Sequence, residues 1–265
     1  MARGLRGATH ASRSRILDTN TTIVLSRLMA QQREMDVTAN NLANATTPGF
    51  REERMQFSDW LLREPRGTEP PGGRIVDYTQ DRATWLEQQV GPLAQTGNPL
   101  DLAIGNPAAW FTVSTANGPR LTRAGHFTLS TAGQVVDSDG NPLLDVAGQP
   151  LTLGTADAHI TVAGDGTVST ENGLVGKIGF VTPSTTAGMQ AEGGRLYLLS
   201  PNATTQPTIA PRLVQGVVEG SNVQAITELT GMMSNEREFQ FCTQFVQEEA
   251  DRQQSAIDKI LTKNS

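Results

Sequence analysis

SNVQAITELTGMMSNEREFQFCTQFVQEEADRQQSAIDKILTKNS, residues 221–265, contains no proline and a single glycine, Gly231. Ala225, Met232, Phe239, Val246 and Ile260 recur on one heptad position, with Gln253 as a polar break. Leu229, Ala250 and Ile257 recur on the other, broken by Glu236 and Thr243. Ser221 and Gln224 stand in the S-x-x-Q spacing of a capping box, which satisfies the first free N–H groups of a helix. The spacing predicts a helix of roughly 40 residues, about 60 Å long. A single amphipathic helix of that length needs a partner for its apolar stripe.

The partner lies at the other end of the chain. All 14 prolines fall between Pro48 and Pro211, and 21 of the 26 glycines lie in the same window. Both residue types interrupt helices and build turns, so only the two ends are free to be long helices. From about Asp18 to Ala45, Leu28, Met35 and Leu42 are spaced by seven, with Leu25 and Ala39 as a weaker row. Pro48-Gly49 ends the segment.

The middle alternates with period two. Trp110-Phe111-Thr112-Val113, His126-Phe127-Thr128-Leu129 and Gln134-Val135-Val136 are separated by turn signals such as Asn117-Gly118, Ala132-Gly133, Asp139-Gly140-Asn141-Pro142 and Asp165-Gly166. The expected fold is mainly β with long terminal α-helices. A β-rich middle domain is inserted between N- and C-terminal helices that pair as a coiled-coil hairpin. The expected divisions are a basic, disordered leader at 1–17, the N-terminal helix at 18–45 and an extended connector at 46–73. The β domain follows at 74–215 and the C-terminal helix at 216–265. A helical hairpin with an outward insert suits a filament subunit, because heterologous contacts that do not close build open helical assemblies.

Composition narrows the function. Of 265 residues, 37% are hydrophobic and 5% aromatic, which is little for one thick core. A net charge of −6 opposes general binding of nucleic acid, which needs an excess of Lys and Arg. The single cysteine, Cys242, excludes an internal disulfide and reads as an inert thiol beside Phe241 and Phe245. No apolar run is long enough to insert into a membrane. The arginines Arg3, Arg6, Arg13 and Arg15 precede no apolar signal segment. His10, His126 and His159 lack ligand spacing, and no nucleophile elbow or phosphate loop is present. Asp137-Ser138-Asp139-Gly140-Asn141 has the opening of a calcium loop, but its twelfth position is Gly148 where a bidentate Glu is required, so it reads as a β-turn. No cofactor is expected.

Five stretches in order resemble the flagellar basal-body rod and hook proteins. They are Ala39-Asn40-Asn41-Leu42-Ala43-Asn44 with Thr46-Thr47-Pro48-Gly49-Phe50, then the run Gly91–Ile104 containing Thr96-Gly97-Asn98-Pro99-Leu100-Asp101-Leu102-Ala103-Ile104. Leu121-Thr122-Arg123-Ala124-Gly125-His126-Phe127 follows, then Asp165-Gly166-Thr167-Val168-Ser169, and last Gln215-Gly216-Val217-Val218-Glu219-Gly220-Ser221-Asn222-Val223. The compact middle and the Gln247–Gln254 tail look closest to the proximal rod members, with the distal rod members as near competitors. Two stretches depart from the family pattern: Gly105-Asn106-Pro107-Ala108-Ala109-Trp110-Phe111, and Gly231-Met232-Met233-Ser234-Asn235-Glu236-Arg237-Glu238-Phe239. The chain also begins about fifteen residues before the family's usual start, so Met1–Arg15 reads as a disordered leader or a misassigned start.

The resemblance implies a structural subunit, not an enzyme. It implies export through the flagellar type III apparatus without a cleaved signal. It also implies assembly with other rod subunits, and with copies of itself, into a periplasmic helical rod that transmits torque and surrounds the export channel. The expected assembly residues are Leu25, Leu28, Met35, Asn40, Asn41, Leu42, Asn44, Ser221, Asn222, Val223, Leu229, Met232, Phe239, Val246, Ile257 and Ile260. Asn40, Asn41 and Asn44 sit near a helix end, where their amides either cap that end or bond a neighbouring subunit. Two other readings stay open on the residues alone. One is a secreted β-domain binding module or adhesin, for which Tyr78, Trp85, Trp110 and Tyr197 are spread out. The other is a hydrolase, for which no nucleophile or metal set is marked.

Overall fold

A computed structural model describes residues 8–63, 75–154, 159–193 and 195–263. Its elements are helix α1 (Ala8–Ala43), seventeen strands and helix α2 (Ala225–Lys263). The strands are β1 (Glu53–Arg63), β2 (Ile75–Leu86), β3 (Leu93–Gln95), β4 (Leu102–Ile104), β5 (Trp110–Thr115), β6 (Gly118–Thr122), β7 (Thr128–Leu129), β8 (Val135–Val136) and β9 (Thr161–Val162). They continue with β10 (Thr167–Thr170), β11 (Gly173–Lys177), β12 (Phe180–Pro183), β13 (Gln190–Glu192), β14 (Leu196–Leu198), β15 (Thr205–Pro207), β16 (Leu213–Gln215) and β17 (Val217–Glu219). The terminal helices flank a β-rich middle. Most strands are short, so among the described residues helix and strand occupy about equal lengths, and "mainly β" overstates the strand content of the chain.

Three boundaries differ from the sequence expectation. Helix α1 begins at Ala8, inside the segment expected to be a disordered leader. No proline or glycine interrupts residues 8–43, so nothing forces a later start; residues 1–7 lie outside the described residues. The expected connector carries β1, which pairs with β2 as a two-stranded sheet; residues 64–73 of it lie outside the described residues. Helix α2 starts at Ala225, not at a box opened by Ser221. Ser221 Oγ instead accepts the N–H of Val223 at 3.2 Å, while Glu228 N–H donates to Gln224 O at 3.1 Å as the first helical bond.

The chain divides into two compact units. One comprises 1–39, 55–82 and 229–265, holding most of both helices and the β1–β2 pair. Here Gln31 Nε2 donates to Glu238 Oε2 at 3.2 Å, and Arg27 Nη2 lies 3.6 Å from the same oxygen, so α1 and α2 are paired. Between Leu229 and Ala256 on α2 the partly covered side chains are Met232, Asn235, Phe239, Cys242, Val246, Glu249 and Gln253, at alternating steps of three and four. The Met232–Phe239–Val246 row is the one the sequence picks out. Its covered companion is the polar row Asn235–Cys242–Glu249, while Leu229 and Ala250 of the apolar row stay exposed. Glu238, which Gln31 and Arg27 bind, lies outside this covered row and stays about half exposed. A cavity of about 300 Å³ lies between the helices, lined by Val24, Phe245, Val246, Glu249, Ala250, Arg252 and Gln253.

The other unit comprises 40–54 and 83–228. Its six-stranded sheet has the order β13-β14-β6-β5-β12-β15, with antiparallel pairing throughout. A three-stranded sheet β11-β10-β9 and the pairs β16-β4, β17-β3 and β7-β8 complete it. Alternation along β5 buries both of its faces. Phe111 and Val113 join Phe127, Leu102, Ile104, Ile178 and Leu213 in the larger core. Trp110 points the other way, to Leu86, Leu121, Met189 and Tyr197. Phe111 meets Phe127 edge-to-face at 5.2 Å between centroids and Phe180 at 5.5 Å. Phe111→Ala is therefore expected to cost about 3–5 kcal/mol, measured by urea unfolding. Loss of less than ~1 kcal/mol would show that this ring is not central to the core.

Candidate functional site at the helix roots

The last turn of α1, the first turn of α2 and the chain that leads from each into the β strands meet within the second unit. The short segment Gly49–Glu53 is held there by every one of its main-chain N–H groups. Gly49 N–H donates to Glu219 O at 2.8 Å and Phe50 N–H to Thr47 O at 3.2 Å. Arg51 N–H donates to the Tyr197 hydroxyl at 2.9 Å, Glu52 N–H to Asn222 Oδ1 at 2.7 Å, and Glu53 N–H to Asn41 Oδ1 at 2.9 Å. The carbonyls are held as well: Glu52 O accepts Glu87 N–H at 2.9 Å and Glu53 O accepts Asn41 Nδ2 at 2.9 Å. Asn222 Nδ2 donates onward to Glu87 O at 3.3 Å and Gln89 O at 3.0 Å.

A primary amide carries the same donor and acceptor as a peptide. Asn41 and Asn222 therefore act as single-residue strands on opposite sides of the Glu52–Glu53 backbone, whose successive N–H groups point opposite ways. Gly49 makes the entry possible. Its φ is +72°, and a Cβ there would overlap the main chain of Arg123 and Ala124.

Asn44 closes α1. Its Nδ2 donates to Asn40 O at 2.9 Å and Asn40 Oδ1 at 3.0 Å, and its Oδ1 accepts Thr47 Oγ1 at 3.2 Å. Asn41 Nδ2 also reaches Glu228 Oε2 at 3.2 Å, in the first turn of α2. A carboxylate there suits the helix dipole. Of the two readings for the asparagines, the structure spends Asn41 and Asn44 on bonds within the chain.

Beneath these roots lies a buried ionic triad. Arg123 donates from Nε to Glu219 Oε2 at 3.0 Å and from Nη2 to the same oxygen at 2.5 Å. Its remaining donors go to Ile104 O at 2.9 Å, Asn106 O at 2.9 Å and Ala109 O at 2.5 Å. Arg51 Nη2 lies 2.9 Å from Glu219 Oε1, and its Nη1 donates to Gln88 O at 3.0 Å and to Gln89 O. That ion pair is too poorly angled to count as a hydrogen bond, and Arg51 Nε has no partner. All three side chains are within 1% of full burial. Burial lowers the Arg51 pKa to about 10, Glu219 opposing the shift and Arg123 adding to it. Burial also lowers that of Arg123 and raises that of the Tyr197 phenol.

The expected assembly residues fall into three groups. Asn40, Asn41, Asn44, Ser221, Asn222 and Val223 gather at the roots. Leu28, Met35, Leu42, Met232, Phe239 and Val246 are partly covered on the helices, and Leu25 and Leu229 are exposed. The side chains of Ile257 and Ile260 lie outside the described residues. Sequence reasoning quoted Arg123 and Glu219 within motifs without marking either, named Tyr197 only among scattered aromatics, and missed Arg51. The signal was a charge closing an apolar run: Glu219 after Val217-Val218, and Arg51 directly after Gly49-Phe50. Elsewhere the Asp137 carboxylate accepts the N–H groups of Asp139 at 2.9 Å and Asn141 at 2.8 Å, bonding its own turn. His126 Nδ1 sits 2.7 Å from Asp101 Oδ1, on the unit's surface. Among the described residues no cluster of His, Cys, Asp and Glu converges to hold a metal ion, and no helix is long and apolar enough to cross a membrane.

Comparison with known proteins gives three family matches along the chain. Residues 23–51 match the flagella basal body rod protein model, and residues 106–170 match the flagellar hook protein FlgE/F/G D1 domain. Residues 214–259 match the flagellar basal body rod FlgEFG protein C-terminal model. The flagellar basal-body rod protein FlgF of Caulobacter vibrioides is 33% identical over 236 residues, covering 89% of this chain and 95% of the relative. FlgF of Mesorhizobium japonicum is 31% identical over 244 residues, covering 91% and 98%. FlgG of Bacillus subtilis is 31% identical over 232 residues, covering 79% and 86%.

Two outcomes follow for the roots. Asn41→Ala strands the Glu53 N–H and C=O, and is expected to cost about 1–3 kcal/mol by urea unfolding; a loss below ~0.5 kcal/mol would mean that water replaces the amide. Glu53 has its pKa raised, chiefly by burial. The folded state then binds this proton more tightly than the unfolded chain. The resulting penalty is absent below about pH 4.3 and develops as pH rises through the folded pKa. Glu53→Gln should therefore flatten the fall of Tm with rising pH above that point, and an unchanged slope would contradict the assignment.

Proposed function

The chain belongs to the flagellar basal-body rod protein family and is an FlgF-like structural subunit of the rod; on that premise we propose that it occupies the proximal rod and polymerises through its terminal helices. The supporting observation is the surface of those helices. Leu25 and Met29 on α1, and Ile226, Leu229, Met233, Phe241, Phe245 and Leu261 on α2, are large apolar side chains left between 46% and 84% exposed. Apolar surface of that extent marks an interaction site. The seam between the helices is partly polar, through Gln31, Asn235 and Glu249, so the pair gains little stability from itself alone.

In this reading α1 and α2 form a coiled-coil hairpin whose outer faces pack against neighbouring rod subunits and further copies of the chain. The helices surround the export channel, and the assembled rod transmits torque. The subunit reaches the periplasm through the flagellar export apparatus without a cleaved signal, and its role is mechanical and not catalytic. Proximal placement is favoured by the pair of relatives from one organism: FlgF of Caulobacter vibrioides is 33% identical over 89% of this chain, against 27% over 81% for its FlgG.

Phe241→Glu tests the reading, because it charges an exposed position that lines neither the cavity between the helices nor the β unit. Swimming is expected to be lost and the variant to be missing from isolated basal bodies. The Tm of the purified chain should stay within about 2 °C of wild type, since surface changes are worth about ±0.5 kcal/mol. Wild-type swimming by Phe241→Glu, with the protein present in basal bodies, would sink helix-mediated assembly.

A further inference from the structure

The triad beneath the helix roots has an unequal division of labour. Arg123 is satisfied at every donor atom, by Glu219 and by the carbonyls of Ile104, Asn106 and Ala109. Glu219 is satisfied without Arg51, because Oε2 takes Arg123 and Oε1 accepts the N–H of Gly91 at 3.2 Å. Two guanidiniums against one carboxylate leave a surplus positive charge in a buried site. Arg51 is the surplus member, with its Nε unpartnered. A buried cation that its neighbours do not need for their own balance calls for another role.

Its position supplies one. Arg51 is eight residues beyond the end of α1, and Glu219 is six residues before the start of α2. The Arg51 fork reaches Glu219 with one nitrogen and the Gln88–Gln89 carbonyls with the other. Each of the three segments matched by a rod-family model contributes one charge: Arg51 from 23–51, Arg123 from 106–170 and Glu219 from 214–259. We propose that Arg51 is a positioning residue, which ties the root of α1 to the root of α2 through Glu219 and so fixes the two helices in the mutual register that rod assembly needs. Folding of the β unit rests on Arg123 and Glu219. The proposal rests on the rod reading above.

This division separates two variants. Arg51→Met removes the surplus charge and leaves the Glu219–Arg123 pair intact. Glu219→Gln leaves two cations facing each other in a buried site. In the full-length purified chain, Arg51→Met is expected to keep Tm within about 4 °C of wild type, while Glu219→Gln lowers it by about 10 °C or more. The double variant should melt higher than Glu219→Gln alone, because one of the two opposed cations is gone. Amide exchange in Arg51→Met should rise over residues 47–53 and stay unchanged over 102–127. In a strain lacking the gene, wild type restores swimming, Arg51→Met does not, and Arg51→Lys restores it in part, having charge but no fork. The inference is overturned by Arg51→Met that swims as wild type, by an Arg51→Met melting loss equal to that of Glu219→Gln, or by a double variant no more stable than Glu219→Gln. A null strain that swims normally would remove the rod reading itself, and the melting and exchange comparisons would then judge the joint alone.

Discussion

The Glu219 carboxylate lies out of water between two guanidiniums, and most of what is distinctive about this chain is arranged to make that tolerable. A buried ion must be paired and hydrogen-bonded at nearly every lone pair to offset its desolvation. Here that requirement recruits the main chain of several elements. The carbonyls before β5 turn toward Arg123, those after β2 turn toward Arg51, and the Gly91 N–H turns toward Glu219. The glycine at position 49 lets the chain leaving α1 lie against Arg123 and Ala124, close enough for Arg51 to reach in. The core packs around this arrangement instead of creating it: Tyr197 belongs to the smaller core and presents its hydroxyl to the Arg51 N–H.

The same site explains why asparagine is used so heavily near the helix ends. An extended segment entering a folded unit has main-chain groups that would normally join a sheet. At Glu52 and Glu53, where β1 only begins, the chain just past β2 supplies one bond, Glu87 N–H to Glu52 O, and Asn41 and Asn222 supply the rest. Each comes from a different helix root, so the segment is clasped by both ends of the chain at once. Helix propensity is sacrificed locally, and the connection between helix and sheet gains order in return.

Much of the fold was legible because its signals are local. Proline and glycine placement separated helical ends from a strand-rich middle, and period-two runs located β5, β7 and β8 within a residue or two. The Met232–Phe239–Val246 row was readable from spacing alone. What was not legible depends on partners far apart in the chain. Nothing near Ser221 reveals that the following asparagine is committed to Glu52, which delays the start of α2 to Ala225. The covered polar row Asn235–Cys242–Glu249 on α2 has no apolar spacing that marks it. The triad is the extreme case, since residues 51, 123 and 219 carry meaning only together, and the motifs containing them identified a family without identifying their job.

Seen as a polymer problem, the joint between residues 51 and 219 closes a large loop, and the β unit is the content of that loop. The entropy of closing a loop grows only logarithmically with its length, by about 0.6 kcal/mol per doubling. Strands, hairpins or whole extra lobes can therefore be added or removed between the two roots at little cost to the closure, as long as Arg123 and its carbonyl cradle remain. One fastening can thus serve inserts of very different size, leaving the outer surface of a subunit free to change while its helices keep a fixed relation at their base.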